Sequence, residues 1–160
     1  MKLLRTIKRL KNPRDLRLFL NILAMLILLP RLIRRKSLPE LLKNLDPGVG
    51  PRRGDHELLV KTAGFTDSLL RYHVFQRYGK CLLRSLLLFR FLRRQGWPVE
   101  IHFGVRKIGE AGIDSINDTK YDVSSHMGIT GHSWLVLAGE PFLEEESRRG
   151  SFATTYTYAG

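Results

Sequence analysis

The chain has a single cysteine, Cys81, among 160 residues. One thiol cannot close an internal disulfide, so a reducing, cytoplasmic compartment is expected. Five histidines are scattered with no close ligand spacing, which argues against a metal site. No glycine-rich loop leads into a helix in the manner of a phosphate cradle, so nucleotide binding has no motif behind it and no cofactor is expected. Internal repeats and low-complexity segments are absent. Long apolar runs are scarce too: Leu18 to Leu29 is twelve residues and includes Asn21, short of the roughly 20 that span a bilayer. The basic start before that run imitates a signal peptide, but Pro30 and Arg31 follow it in place of a small-residue cleavage pattern. It reads as a buried or membrane-surface helix rather than a cleaved signal or a span. Acidic residues are the minority, 15 against 27 Lys and Arg, for a net charge of +12. That excess suits nucleic acid, an anionic membrane or an acidic partner without choosing among them. No single run looks like a nucleic-acid-binding tail. The basic residues are scattered through apolar helices, which reads mostly as solvated helix faces.

What is present reads as helices followed by strands. Asn12 caps, Pro13 takes the first turn and Asp15 faces the dipole, so a helix is expected from residue 13 to about Leu29, stopping at Pro30. A short helix follows Ser37 through "SLPELLKNL". The Gly- and Pro-rich stretch 46–55 separates an N-terminal helical region, 1–54, from a core at 55–160, the two forming one compact unit. Residues 55–63 and 66–77 look like two helices, the second starting at Thr66 and Asp67. Gly79 breaks the pattern before the helix of Cys81, which Gly96 and Pro98 end. "VEIHFGV", 99–105, alternates Val99, Ile101, Phe103 and Val105 on one face. "HSWLVLA", 132–138, puts His132, Trp134 and Val136 on one face. "GEP" is expected to turn the chain into a short return strand, "FLEE", and "SFATTYTY" alternates again. This order argues for an α+β fold. Residues 107–131 form a long polar connection, a length that is usually functional or disordered.

A cysteine in the first turn of a helix meets unpaired backbone N–H groups and the positive dipole end, which favour thiolate. Its own N–H can also point at an oxyanion beside the sulfur. Against this stands a small apolar residue filling a Leu-rich core. A nucleophilic thiolate needs a proton-handling partner. His56 and His73 fall on helices, His102 on the polar face of its strand and His126 in the long connection. His132 opens an apolar strand ahead of Trp134, where a ring can be held rigidly as a general base. An orienting acid could come from "GEPFLEE": Glu140 in the turn, Glu144 on the return strand, or Glu145 on its opposite face. Each alone fits a solvated rim; the order Cys, His, acid is more specific than any member.

"CLLRSLLLFRFLRRQGWPVEIHFGV" followed by "GHSWLVLAGEPFLEE" resembles the transglutaminase-like cysteine proteases of lasso-peptide maturation, the microcin-processing leader peptidases. The likeness rests on Cys-Leu-x-Arg-Ser at the helix start, Arg-x-x-Gly at its end, a strand ending in Gly-Val, and His-x-Trp before a hairpin. It covers about residues 58 to 146. It implies a transglutaminase- or papain-like core, with the Cys-bearing helix packed on a small antiparallel sheet. It also implies a peptidase that removes the leader of a ribosomally made precursor peptide. Cys81 matches the nucleophile and His132 the base; Glu144 stands where the family usually has Asp, and Gly131 where it often has Ala. Hydrolysis would run through a thioester, with Cys81 N–H and Gln76 as oxyanion donors. The precursor would be presented by a separate leader-recognition protein docked on the helix at 13–29, and the freed core would pass to a cyclising enzyme. A peripheral membrane contact through residues 13–29 is a further expectation. Two rival readings remain: an acyltransferase or amidase on the same fold, and a non-catalytic basic module binding nucleic acid or a membrane surface. Aromatics interleaved with the basic residues would support nucleic acid, but those residues sit mainly on helices, and no nucleic-acid partner is expected.

Overall fold

The computed structural model of the chain describes residues 12–51, 54–72, 79–107, 129–143 and 152–160. Among the described residues it is an α+β fold: helices α1 (Pro13–Arg35), α2 (Leu38–Leu45), α3 (His56–Leu70) and α4 (Lys80–Arg94), then strands β1 (Glu100–Lys107), β2 (Ile129–Leu137), β3 (Glu140–Phe142) and β4 (Ala153–Tyr158). The strands form one antiparallel sheet in the order β3-β2-β1-β4.

α1 starts as its sequence dictates. The Asn12 side-chain oxygen accepts the Arg14 N–H at 3.0 Å, and Pro13 occupies the first turn. It does not stop at Pro30, as expected, but runs on to Arg35. A proline inside a helix costs about 3 kcal/mol, because it lacks the N–H and crowds the preceding turn. Here the continuation packs Leu32 and Ile33 against the core beyond the fully buried Leu26 and Leu29. Apolar burial is worth up to about 1.5–3 kcal/mol per side chain, enough to offset the defect. The two helices expected at 55–63 and 66–77 are likewise one through residue 70. Thr66 does not cap a second helix: its hydroxyl donates to Thr62 O at 2.8 Å, and Thr62 donates to Leu58 O at 2.7 Å. Both hydroxyls are thereby satisfied within the helix while buried. Phe65, between them and edge-on to Phe19 at 5.6 Å, fixes α3 on α1. Residues 73–77 of that expectation lie outside the described residues.

α4 is the axis of the molecule. Leu83, Leu86, Leu87, Leu88, Phe89 and Leu92 are all fully buried, so the helix is covered around most of its circumference. Glycines bound it at both ends, Gly79 with φ +77° and Gly96 with φ +84°, a backbone region that side chains disfavour. Its C-terminal turn holds the fold together. The buried Arg93 pairs with Asp46 at the end of α2 at 2.8 Å and donates to the carbonyls of Val99 and Ala159. Arg90 donates to Leu45 O at 3.0 Å.

The sheet packs one face on these helices. Ile101 and Leu135 are in the core, with Phe103, Leu137, Phe142, Tyr156 and Tyr158 packed against it. Strand alternation assigns the opposite face to Glu100, His102 and Gly104 of β1 and to His132, Trp134 and Val136 of β2. The expected alternation of 99–105 holds for Val99 and Ile101, both fully buried, and runs out at Val105, which is exposed. The turn after β2 comes earlier than expected: Ala138 and Gly139 take φ +52° and +83°, a two-residue hairpin turn. Glu140 and Pro141, expected in the turn, are already strand. Ala153–Tyr158, within "SFATTYTY", supplies the far edge strand, beside β1. Residues 108–128 of the long connection, and 144–145 of the expected return strand, lie outside the described residues.

Candidate active site

Cys81 is the second residue of α4 and is partly exposed, a free thiol. The first bond of the α4 ladder runs from Leu83 N–H to Gly79 O at 3.1 Å. Cys81 thus lies in the first turn of α4, ahead of the first ladder bond among the described residues. An oxyanion formed beside the sulfur would meet the positive end of the α4 dipole there.

The turn that follows Cys81 fastens the helix start to the sheet. Ser85, one turn along from Cys81, donates its buried hydroxyl to Ser133 O at 2.8 Å. Arg84 donates to Leu143 O at 3.0 Å while its guanidinium grips Asp67 of α3, Nε to Oδ1, at 2.7 Å. Ser133 follows His132 in β2, and Leu143 precedes Glu144. Two adjacent residues of the cysteine helix thus hold the backbone next to the candidate base and next to the candidate acid. The motif Cys-Leu-x-Arg-Ser contains both tethers. Their function was not legible from sequence, because neither the strand pairing nor the hairpin length was fixed in advance.

His132 is half-buried. Its ring stacks on Trp134, with centroids 5.9 Å apart and planes 19° apart, and meets Phe152 at 5.1 Å. Arg106 covers Phe152 from beyond, 4.7 Å from the ring centroid. Trp134 is buried and fits because its cross-strand neighbourhood includes Gly104. A Cβ there would meet Trp134 Cη2 and Ala153 O, each at 2.9 Å. The alternation expected for His132, Trp134 and Val136 is thus realised as a stack of rings. It lies on the sheet face turned away from the helical core, and no hydrogen bond joins Cys81 to His132 among the described residues. The two are brought together at the level of the backbone, through Ser85 and Ser133.

His102 has more company than a polar strand face suggested. Its Nε2 lies 3.1 Å from Glu100 Oε2, its Nδ1 3.4 Å from Thr157 Oγ1, and its ring 5.9 Å from that of Trp134. The signal was the spacing Glu100-x-His102, which puts carboxylate and imidazole on one strand face. Glu140 is exposed at the start of β3, opposite Leu137. His56 is exposed at the start of α3. Glu144, Glu145, His73, His126 and Gln76 lie outside the described residues. No group of three or more His, Cys, Asp or Glu able to hold a metal occurs among the described residues.

A family model described as the transglutaminase-like superfamily matches residues 24–115, more than half of the chain. The match takes in Cys81 and ends before His132. No curated protein and no solved structure matches the chain.

Proposed function

Since the chain belongs to the transglutaminase-like superfamily, whose members fit cysteine-based protease or acyltransferase chemistry, we propose that it is a cysteine peptidase that removes the leader from a lasso-peptide precursor. The observation that carries the reading is the pair of tethers: Ser85 to Ser133 O and Arg84 to Leu143 O. They fix the start of the Cys81 helix beside the strand of His132 and the segment that enters Glu144. The lasso-peptide assignment rests on the sequence resemblance.

In the proposed reaction His132 accepts the thiol proton and the Cys81 sulfur attacks the carbonyl that ends the leader. The carbon–sulfur bond forms as the carbonyl π-bond opens, and the Cys81 N–H receives the negative oxygen. On collapse the carbon–nitrogen bond breaks, and the leaving amine of the core peptide takes the proton from His132. Water then attacks the thioester, His132 removes its proton, and the leader leaves as a carboxylate with the thiolate regenerated. Glu144 orients the imidazole. Strand alternation places the His132 ring on the face away from the helices, so the reaction requires a rearrangement of β2 near His132, and not a change of rotamer alone, to bring the imidazole to Cys81. Presentation of the precursor falls to a separate leader-recognition protein, and cyclisation of the freed core to another enzyme.

The test is incubation with a lasso-peptide precursor, with and without a leader-recognition protein, and mass spectrometry of the products. Leader and core are expected as two hydrolysed fragments. Cys81→Ala and His132→Ala should each lower the rate by about a thousandfold or more, and Glu144→Gln far more than Glu140→Gln. Transfer of the acyl group to an added amine in place of hydrolysis would make the chain an acyltransferase. Cleavage that survives Cys81→Ala would reject the reading.

A further inference from the structure

The geometry points to α1 as an anionic-lipid anchor that lies in the plane of a membrane surface while remaining part of the folded domain. The helix has two apolar faces. One is used by the fold: Phe19, Ile22, Leu26 and Leu29 are fully buried. The other is not. Leu20, Ile27 and Leu28 are 50%, 51% and 46% exposed, and Ala24 between them is exposed as well. At 3.6 residues per turn these four fall on one stripe, about 12 Å long from Leu20 to Leu28. Water gains nothing from such a stripe, and scattered exposed leucines elsewhere would need no comment. Here they are contiguous on a helix that, alone among the described residues, is long and apolar enough to satisfy the composition of a membrane span.

Charge selects lipid over a protein partner. Exposed arginines bracket the stripe at both ends, Arg14 and Arg17 before it, Arg31 and Arg35 after it. Arg31 also reaches back to Ile27 O at 3.4 Å, which lays its stem along the apolar residues. The only acidic residue of α1 is Asp15, and it is engaged by Lys61 at 3.0 Å. An apolar stripe with long cations at its rims is what a headgroup–acyl boundary accommodates, apolar atoms in and guanidinium groups out to the phosphates. Spanning the bilayer is a different matter, since it would pull Phe19, Ile22, Leu26 and Leu29 out of the core. The anchor is therefore peripheral, with the buried face glued to the protein and the exposed stripe to lipid. Binding by surface attraction is salt-sensitive, and the chain's net charge of +12 acts in the same sense.

The experiment is flotation of the intact chain with phosphatidylcholine vesicles, with and without phosphatidylglycerol, at low and high salt. Binding to the anionic vesicles is expected, with loss at high salt. The variant L20S/I27S/L28S alters exposed positions only and should keep its circular dichroism and melting profile. It should bind at least about tenfold more weakly, as expected for the loss of three buried apolar side chains. A second variant, R14Q/R17Q/R31Q/R35Q, leaves the apolar stripe intact and should lose about fivefold per arginine, measured at low salt. No binding by the wild-type chain, or binding equally strong in both variants, overturns the inference. So does a wild-type dimer that the serine variant turns to monomer without any vesicle binding, since the stripe would then face a second copy. Capture of the stripe by the leader-recognition protein in preference to vesicles would also overturn it. Peptidase assays without membranes are independent of every outcome.

Discussion

At the scale of the residue, two small side chains set what the larger ones do. Gly104 has no Cβ, and the Trp134 ring occupies the space one would take, 2.9 Å from it. Trp134 in turn is the floor on which His132 stacks. Gly104→Ala is therefore expected to push the indole, tilt the imidazole and cost about 1–3 kcal/mol in overpacking. A thermal melt reads the stability loss. The second small residue is Ser133. Its carbonyl holds Ser85, but its buried hydroxyl has no hydrogen-bond partner among the described residues. Removing an unsatisfied buried hydroxyl relieves its desolvation cost. Ser133→Ala should leave stability unchanged or raise it by up to about 1 kcal/mol, whereas Ser85→Ala should lower it by about the same amount. Chemical denaturation of the pair checks the contrast.

At the scale of the element, the sequence spoke clearly where a rule is local and failed where packing overrides it. The cap at Asn12, the helix start after Ser37, the glycines at 79 and 96, and the alternation of β1, β2 and β4 are all short-range signals, and each was legible. Pro30 was misread as a stop, because its cost is local while the burial of Leu32 and Ile33 that outweighs it is not. Thr66 and Asp67 were misread as a helix start for a related reason. Thr66 turns its hydroxyl back to Thr62 O, and Asp67 is recruited across the core by Arg84. The candidate site was half legible. Cys81 at a helix start and His132 on a strand were read from residue type and position. The tethers at Arg84 and Ser85, and the pairing of His102 with Glu100, depend on registers that a single chain does not announce. Arg93 shows the same long-range logic. It joins Asp46 of α2 to the carbonyls of Val99 and Ala159, with its guanidinium 5.3 Å from the Phe89 ring centroid. Removing one partner of a buried pair strands the other. Arg93→Met is expected to cost about 3–5 kcal/mol, which in a domain of this size lowers the melting temperature by about 2–4 °C per kcal/mol. The double variant with Asp46→Leu should recover part of the loss. It should not recover all, because Gly48 N–H would lose the Asp46 oxygen it donates to at 2.8 Å.

At the scale of the whole molecule, two ionisable groups tie distant parts of the chain together, and both fix the same response to alkali. Tyr158, on the edge strand, reaches Asp46 at the end of α2 with its hydroxyl at 3.5 Å. Burial, and then the negative charge of Asp46, push its pKa above the ordinary value of 10.0, with Arg93 opposing. Lys61 of α3 bonds Glu57 and Asp15, and those two partners raise its pKa above 10.5. For both groups the folded state holds the proton more tightly than the unfolded chain does. Folding stability is then greatest below the unfolded values and falls as the pH rises through the raised ones. For Tyr158 the reason is that a phenolate would form, partly buried, beside a carboxylate; for Lys61 it is that a neutral amine no longer holds α3 to α1. Unfolding midpoints in denaturant should therefore be flat with respect to these two groups from neutrality to about pH 9 and decline above about pH 10. Other groups titrate there as well, so the informative quantity is the difference between wild type and Tyr158→Phe. That substitution removes one long hydrogen bond, and the difference near neutrality should be small. Above pH 10 the wild type should lose stability faster than the variant, and the two curves should converge or cross. Parallel curves across the whole range would mean that Tyr158 titrates alike in the folded and unfolded chain, and that the contact with Asp46 does not hold the C-terminal strand to the helices.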